Sequence, residues 1–232
     1  MPSGIPSLIV IIPAYNEENG VGNVIADIPK DIVDLIIVVN NRSSDATRKV
    51  ALVAGAVVVD EEKKGYGFAC LKGMEYIKTK NLNPDIVVFI DADYSDYPDE
   101  LPNLIKPILQ GDADMVIGSR ALGNRKKGSM TPQQIFGNWL ATKLIFLFYK
   151  VKYTDLGPFR AIKWKALQQL QMKDETYGWT VEMQLKAAKQ KLKVTEVPVS
   201  YRERIGFSKI SGTLKGTVLA GYKIITTIFK YI

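Results

Sequence analysis

The feature that most restricts how this chain can fold is a series of short Ile, Val and Leu runs, spaced so that a helical pattern fits between successive runs. Leu8–Ile12, Leu35–Val39, Val57–Val59, Ile86–Ile90 and Met115–Ile117 are apolar throughout, not at every second position. A strand with one wet face alternates, whereas a continuous apolar run is buried on both faces, as strands of a parallel sheet are. The stretches between, roughly Gly20–Ile28, Asp45–Ala54, Gly67–Lys78 and Pro98–Leu109, carry helical periodicity, with Asp45 expected as an N-cap and Gly55 as a stop. This alternation predicts an α/β domain with an open, doubly wound, mostly parallel sheet and helices on both faces. A chain of 232 residues suits one such domain with a short appendage.

Composition narrows the chemistry. The chain has no histidine, so histidine acid/base catalysis and histidine–metal sites are excluded, and a metal would be a hard cation held by oxygen. Its one cysteine, Cys70, excludes a disulfide framework and fits a reducing cytosol. No apolar window reaches the roughly 18 residues of a membrane span, and Met1–Gly4 carries no basic signal-peptide region. The Asn41-Arg42-Ser43 sequon is read as chance. A net charge of +7 favours an anionic partner. Nucleic acid is not expected, because the basic residues flank phosphate-sized loops and no recognised binding module is present.

In open α/β sheets, ligands bind beyond the carboxyl ends of the strands. Four expected strand ends carry polar residues: Pro13-Ala14-Tyr15-Asn16-Glu17, Asn40-Asn41-Arg42-Ser43-Ser44-Asp45, Asp91-Ala92-Asp93 and Gly118-Ser119-Arg120. The third is the sharpest. Two carboxylates two residues apart, just past a buried strand, can present oxygens to one Mg²⁺ or Mn²⁺ and through it to substrate phosphates.

Taken in order, P-A-Y-N-E, the polar turn after the second strand, K-G-Y-G, D-A-D and G-S-R resemble the family 2 glycosyltransferases of GT-A fold. Among these the chain is similar to the dolichyl- or polyprenyl-phosphate hexose synthases. Thr154–Arg160, Tyr177–Met183, Tyr201–Arg204 and Ser208-Lys209 extend the likeness over nearly the whole chain. The resemblance implies a nucleotide-diphosphate sugar donor, with Pro13, Tyr15 and Glu17 lining the nucleoside pocket and Lys64 and Gly65 closing its far side. It places Asn40 or Asn41 where relatives more often carry an acidic residue that meets the base. Asp91 and Asp93 would hold ribose and metal, with Ala92 between them. Many relatives carry Gln as a further ligand two residues after the second Asp; here the residue is Ser95.

Past Arg120 the pattern changes, and a division is expected there between a nucleotide-sugar half (about 1–120) and an acceptor half (about 121–212). Arg120, Arg125, Lys126 and Lys127 are either a solvated basic loop or a clamp for an acceptor phosphate, for which Arg120 suits a bidentate contact. Arg202, Arg204, Ser208 and Lys209 form a second basic cluster, which could close over the donor diphosphate as it leaves. Glu182 and Asp155 are the carboxylates open to a general-base role, though Glu182, on the expected helix Trp179–Gln190, could instead cap or pair with a basic residue.

Two helices raise the question of a membrane. Pro132–Tyr149 ends in an apolar run flanked by Lys143, Lys150 and Lys152. Thr213–Ile232 plots as amphipathic, with Leu214, Val218, Ile225, Phe229 and Ile232 opposite Lys215, Lys223, Thr226 and Lys230. They suit docking on an anionic membrane surface, or else pack on the core or form a homodimer seam. The expectation is an inverting transferase that moves glucose or mannose to a lipid phosphate, peripheral on the cytoplasmic face of the membrane. Transfer to a small soluble acceptor and non-catalytic nucleotide-sugar binding are the alternatives.

Overall fold

The computed structural model describes residues 6–206 and 214–231. Its centre is a seven-stranded sheet of β1 (Leu8–Ala14), β2 (Leu35–Asn40), β3 (Val57–Asp60), β4 (Ile86–Phe89), β5 (Met115–Ser119), β6 (Arg160–Lys163) and β7 (Val194–Pro198). The strand order is β3-β2-β1-β4-β6-β5-β7. All pairings are parallel except those of β6, which runs antiparallel to both β4 and β5.

Helices α1 (Val21–Asp27), α2 (Thr47–Val53) and α4 (Leu101–Leu109) cover one face. The other carries α3 (Tyr66–Thr79), α5 (Pro132–Tyr149), α6 (Trp164–Leu170), α7 (Trp179–Lys189) and α8 (Leu214–Lys230). Alternate residues of one strand enter opposite layers: Ile9 and Ile11 pack with α3, whereas Leu8, Val10 and Ile12 pack with α1 and α4. This is why the strands read as unbroken apolar runs. Truncating such a residue to Ala costs about 2–5 kcal/mol.

The expected strands and helices are present, with two refinements. Helix α2 begins at Thr47, one position later than Asp45 as N-cap would set it; Asp45 instead accepts the Thr47 N–H at 3.0 Å from just outside the helix. Gly55 follows α2 with a left-handed φ of 89°. The element absent from the sequence reading is β6–α6. The strand reads Arg-Ala-Ile-Lys and lacks an apolar run, yet Arg160 is fully buried. Its guanidinium donates to the carbonyl oxygens of Leu156, Gly157 and Thr180, which makes burial of the charge tolerable.

Helix α8 has two sides. Thr227 and Ile228 are buried against the body, while Val218, Leu219, Tyr222 and Phe229 stand exposed. Of the residues expected on its faces, Ile232 and the side chains of Leu214 and Lys215 lie outside what is described. On α5 only Ala141, Thr142 and Ile145 are buried, whereas Phe136, Trp139, Phe146, Leu147 and Phe148 are exposed. Phe148 and Phe229 meet edge to face at 5.7 Å, joining the two apolar surfaces. Among the described residues no helix is long and apolar enough to cross a membrane.

Candidate active site

β1, β2, β4 and β5 all point the same way, so the loops that follow them open on one edge of the sheet. There the loops after β1, β2 and β4 help to enclose a cavity of about 320 Å³. The end of β1 contributes Pro13, Ala14, Tyr15 and Glu17, and the end of β2 contributes Asn41. Lys64, Gly65 and Tyr66 come from the start of α3, and Asp91, Ala92 and Asp93 follow β4. Thr176 and Tyr177 come from the loop before α7, and Arg204 from the segment after β7. Lys64 Nζ lies 3.0 Å from the Tyr15 hydroxyl and 4.9 Å from its ring centroid, spanning the cavity mouth.

The structure separates the two adjacent asparagines. Asn41 donates to the Lys63 carbonyl at 2.7 Å and accepts the Gly65 N–H at 2.9 Å, so its amide holds the Lys64-Gly65 turn in place. A carboxylate could not make the first of these bonds, since it has no proton to donate. Asn40 does not line the cavity: it turns toward β3, where its amide donates to Asp60 at 2.8 Å.

The floor of the cavity is acidic. Asp91 Oδ1 is buried and without a hydrogen-bond partner, and burial, reinforced by the charge of Asp93, pushes the Asp91 pKa up to about 7. Asp93 is held from both sides. Its Oδ1 accepts the Ser95 N–H at 2.9 Å and hydroxyl at 2.5 Å, and its Oδ2 lies 3.2 Å from Arg204 Nη1. Arg204 Nη2 reaches Glu17 Oε1 at 2.6 Å, so one guanidinium bridges two walls of the cavity. Asp96 lies buried nearby with neither carboxylate oxygen partnered, and burial, then the Asp91 charge, raises its pKa well above the usual range.

Buried carboxylate oxygens lacking a partner fit a hard divalent cation. Among the described residues no group of three or more His, Cys, Asp or Glu side chains forms a metal cage. Asp91, through its unpartnered Oδ1, would hold Mg²⁺ or Mn²⁺, and Asp93 would join it through Oδ2 once Arg204 turns away.

A second cavity, about 300 Å³, adjoins the first and shares Tyr66, Asp91, Asp93, Tyr177 and Arg204 with it. Its remaining walls include Arg120, Tyr201, Gln133, Gly137 and Asn138 on α5, and Ala220, Gly221 and Ile224 on α8. Arg120 also lines a larger groove of about 600 Å³ with Arg125, Trp139, Lys143 and Asp155. Arg120 Nε and Nη2 grip the two Asp155 oxygens at 2.8 and 2.7 Å. Burial opposes ionisation of Asp155, but the Arg120 charge outweighs it and holds the carboxyl below its usual range. Asp155 is thus the counter-ion of Arg120 and not a base open to substrate.

Besides Asn40, two expected site residues lie elsewhere. Glu182 lines none of these cavities. It is fully buried, accepting the N–H groups of Lys173 and Asp174 and pairing with Lys186 at 2.7 Å, which leaves no approach for a substrate hydroxyl. Arg202 also faces away. Its guanidinium is sandwiched 3.4 Å from the Tyr94 ring centroid and 4.1 Å from that of Tyr97, and it donates to the Tyr94 carbonyl. It fastens the segment after β7 to the loop after Asp93. Ser208 and Lys209 lie outside the described residues.

Sequence reasoning assigned no role to Tyr66, Thr176 or Tyr177. The available signal was an aromatic beside glycine in both Tyr66-Gly67 and Tyr177-Gly178, where a ring sits next to a position too crowded for a Cβ.

The model of the family described as Glycosyl transferase family 2 matches residues 9–171. This chain belongs to glycosyltransferase family 2. It is 31% identical to a dolichyl-phosphate hexose transferase of Haloferax volcanii, over 91% of this chain and 90% of the relative. It is 30% identical to a UDP-N-acetylglucosamine–dolichyl-phosphate N-acetylglucosaminyltransferase of Methanococcus voltae, over 94% of this chain and 92% of the relative. With the low-salt glycan biosynthesis hexosyltransferase Agl6 of H. volcanii it shares 32% identity across 87% of this chain, which spans about half, 49%, of that protein. In fold it matches glucosyl-3-phosphoglycerate synthase of Mycobacterium tuberculosis, crystallised with Mn²⁺, UDP and glucosyl-3-phosphoglycerate. The TM-score is 0.77 at 22% identity, over 97% of this chain and 80% of that one. The GT-A architecture expected from the sequence is therefore present, and the protein is a transferase.

Proposed function

We propose that this glycosyltransferase moves a hexose, glucose or mannose, from a nucleotide-diphosphate sugar to a polyprenyl or dolichyl phosphate, working as a peripheral protein on the cytoplasmic membrane surface. The observation that carries the reading is that Asp91, Asp93 and Arg204 line both adjoining cavities. The first cavity has the rigid, turn-built walls that suit a nucleotide, with Tyr15 and Lys64 at its mouth. The second is bounded by α5 and α8, whose outer surfaces are the exposed apolar ones. Relatives named as dolichyl-phosphate transferases support a lipid phosphate acceptor.

In this reading an acceptor phosphate oxygen bonds to the anomeric carbon while the bond from that carbon to the donor diphosphate breaks, inverting the centre. The electron pair departs on the diphosphate. A phosphate is already ionised at neutral pH, so no general base is required, in keeping with the structural commitments of Glu182 and Asp155. Arg204, bridged between Glu17 and Asp93, would turn its charge to the departing diphosphate. A divalent cation held by Asp91 and Asp93 would supply further positive charge there. Arg120, oriented by its two bonds to Asp155, would face the acceptor phosphate.

The test is a screen of nucleotide sugars with and without Mn²⁺ by thermal shift, followed by transfer assays with polyprenyl phosphate in anionic vesicles and with soluble phosphorylated acceptors. Metal-dependent donor binding and transfer to the lipid alone are expected. Tyr222→Asp with Phe229→Asp should release the protein from vesicles without weakening donor binding. Efficient transfer only to a soluble acceptor, or indifference of the wild type to vesicles, would overturn the membrane assignment.

A further inference from the structure

Glu182 and a second carboxylate, Asp174, together organise the loop that runs into α7. Glu182 accepts the backbone N–H of Lys173 at 3.0 Å and of Asp174 at 2.7 Å. Asp174 accepts those of Thr176 at 2.9 Å and Gly178 at 3.0 Å. Thr176 and Tyr177, which line the first cavity, are thus suspended between two anchored carboxylates, and Tyr177 also lines the second. On its other side the loop is pressed against the turn that carries Lys64. The Glu175 carbonyl accepts the Phe68 N–H at 3.0 Å. A Cβ at Gly65 would collide with the Glu175 carbonyl, and one at Gly67 with that of Asp174.

Asp174 also reaches α8, and Glu182 the residue that follows it. Lys223 Nζ lies 3.0 Å from Asp174 Oδ2, and the Tyr231 hydroxyl donates to Glu182 Oε1 at 2.5 Å. The helix sits close, since a Cβ at Gly178 would come within 2.5 Å of Thr227 Oγ1. Neither carboxylate lines any of the three cavities described, so within them neither meets substrate directly.

We propose that Asp174 and Glu182 are positioning residues for the transfer reaction: they fix Tyr177, one of the walls common to both cavities, and make its placement depend on the seating of α8. The inference rests on the donor-site reading above. The same helix that bounds the second cavity thereby adjusts the first, so the donor pocket is fully formed only when α8 is docked on the body. A two-position element biased from both sites is the physical requirement for such coupling.

Lys223 is half exposed, so its replacement leaves the core untouched. The experiment measures binding of UDP and GDP with Mn²⁺ by calorimetry for wild type, Lys223→Met, Asp174→Asn and the double variant. Asn at 174 still accepts from Thr176 and Gly178, so it removes the link to α8 while leaving the loop bonds in place. Each single variant should bind the diphosphate about five- to tenfold more weakly at an unchanged melting temperature, and the double variant no more weakly than the singles. Lys223→Arg should restore wild-type affinity. Turnover at saturating donor should fall less than affinity does.

Unchanged affinity in the variants, or losses in the singles that add in the double, would overturn the inference while leaving the donor site standing. A merely structural pair would lower the melting temperature and leave affinity alone, which would also overturn it. If wild type binds neither diphosphate, the donor-site reading falls and takes the inference with it.

Discussion

The two cavities that meet at Asp91 and Asp93 are built differently. The first is walled by the carboxyl ends of strands and by turns whose side chains bond to backbone: Asn41 to Lys63 and Gly65, Asp93 to the Ser95 N–H. The second leans on α5 and α8, helices with few buried residues and large exposed apolar surfaces. The strand-end walls of the first cavity cannot adjust without breaking the sheet, whereas the loop wall at Tyr177, which both cavities share, and the two surface helices can. The rigid cavity suits a donor of fixed shape, and the helical one an acceptor that arrives from a surface.

That contrast is easiest to break at the acidic floor, where the largest effect is expected. Asp91→Asn should lower metal-dependent transfer by about 10³-fold or more, because the partner of a cation worth several kcal/mol is removed. The same change should stabilise the protein in the absence of metal. The Asp91 pKa is raised to about 7 from an unfolded value near 4, so the folded state holds the extra proton between those values. Stability attributable to this group therefore falls as pH rises from about 4 to about 7 and then levels off. Denaturant melts at pH 8 without metal should show Asp91→Asn more stable than wild type by about 2–4 kcal/mol, a gap that closes near pH 4. A less stable variant would mean that Asp91 has a partner in solution.

Arg204→Gln comes next, with an expected loss of about 10²–10³ in kcat, the scale set by removing one group that stabilises developing charge. Arg120→Lys should sharpen the division between cavities. A point charge cannot reproduce the fork that grips Asp155, so acceptor KM should rise about ten- to hundredfold while the donor dissociation constant holds. An equal rise in both would place Arg120 at the donor. The smallest functional effect belongs to Arg202→Ala. Loss of the Tyr94–Tyr97 sandwich should cost about 1–3 kcal/mol of stability in a denaturant melt and alter donor affinity by less than about threefold.

Much of the first cavity was legible in the sequence because its residues are local: a strand announces itself, and the polar residues after it face one edge. Pro13, Tyr15, Glu17, Asn41, Asp91, Ala92 and Asp93 were named at such strand ends, Lys64 and Gly65 from the family resemblance and Arg204 from a basic cluster, and all line one cavity. What escaped depends on partners distant in sequence. β6 was invisible because Arg160 interrupts any apolar run, and its burial is tolerated only through carbonyls supplied by the loop before β6 and by α7. Arg202 and Arg204 look alike as letters, yet one is sandwiched by two tyrosines and the other bridges two carboxylates. Glu182 reads as a helix-borne acid in a conspicuous motif, and only the fold brings Tyr231 and the Lys173–Asp174 backbone to it.

The amide of Asn41 has a consequence for where a cation can lodge. Donating to one carbonyl while accepting from an amide nitrogen, it fastens the rim of the first cavity with a group that carries no charge at any physiological acidity. An aspartate there would offer Mn²⁺ a rival berth and would loosen whenever it lost or gained a proton. With the neutral side chain the rim keeps its shape in mild acid, and added metal has one acidic floor to settle on. Titration with Mn²⁺ in the presence of a nucleoside diphosphate should accordingly give a single stoichiometric step, and Asn41→Asp should add a second, weaker one.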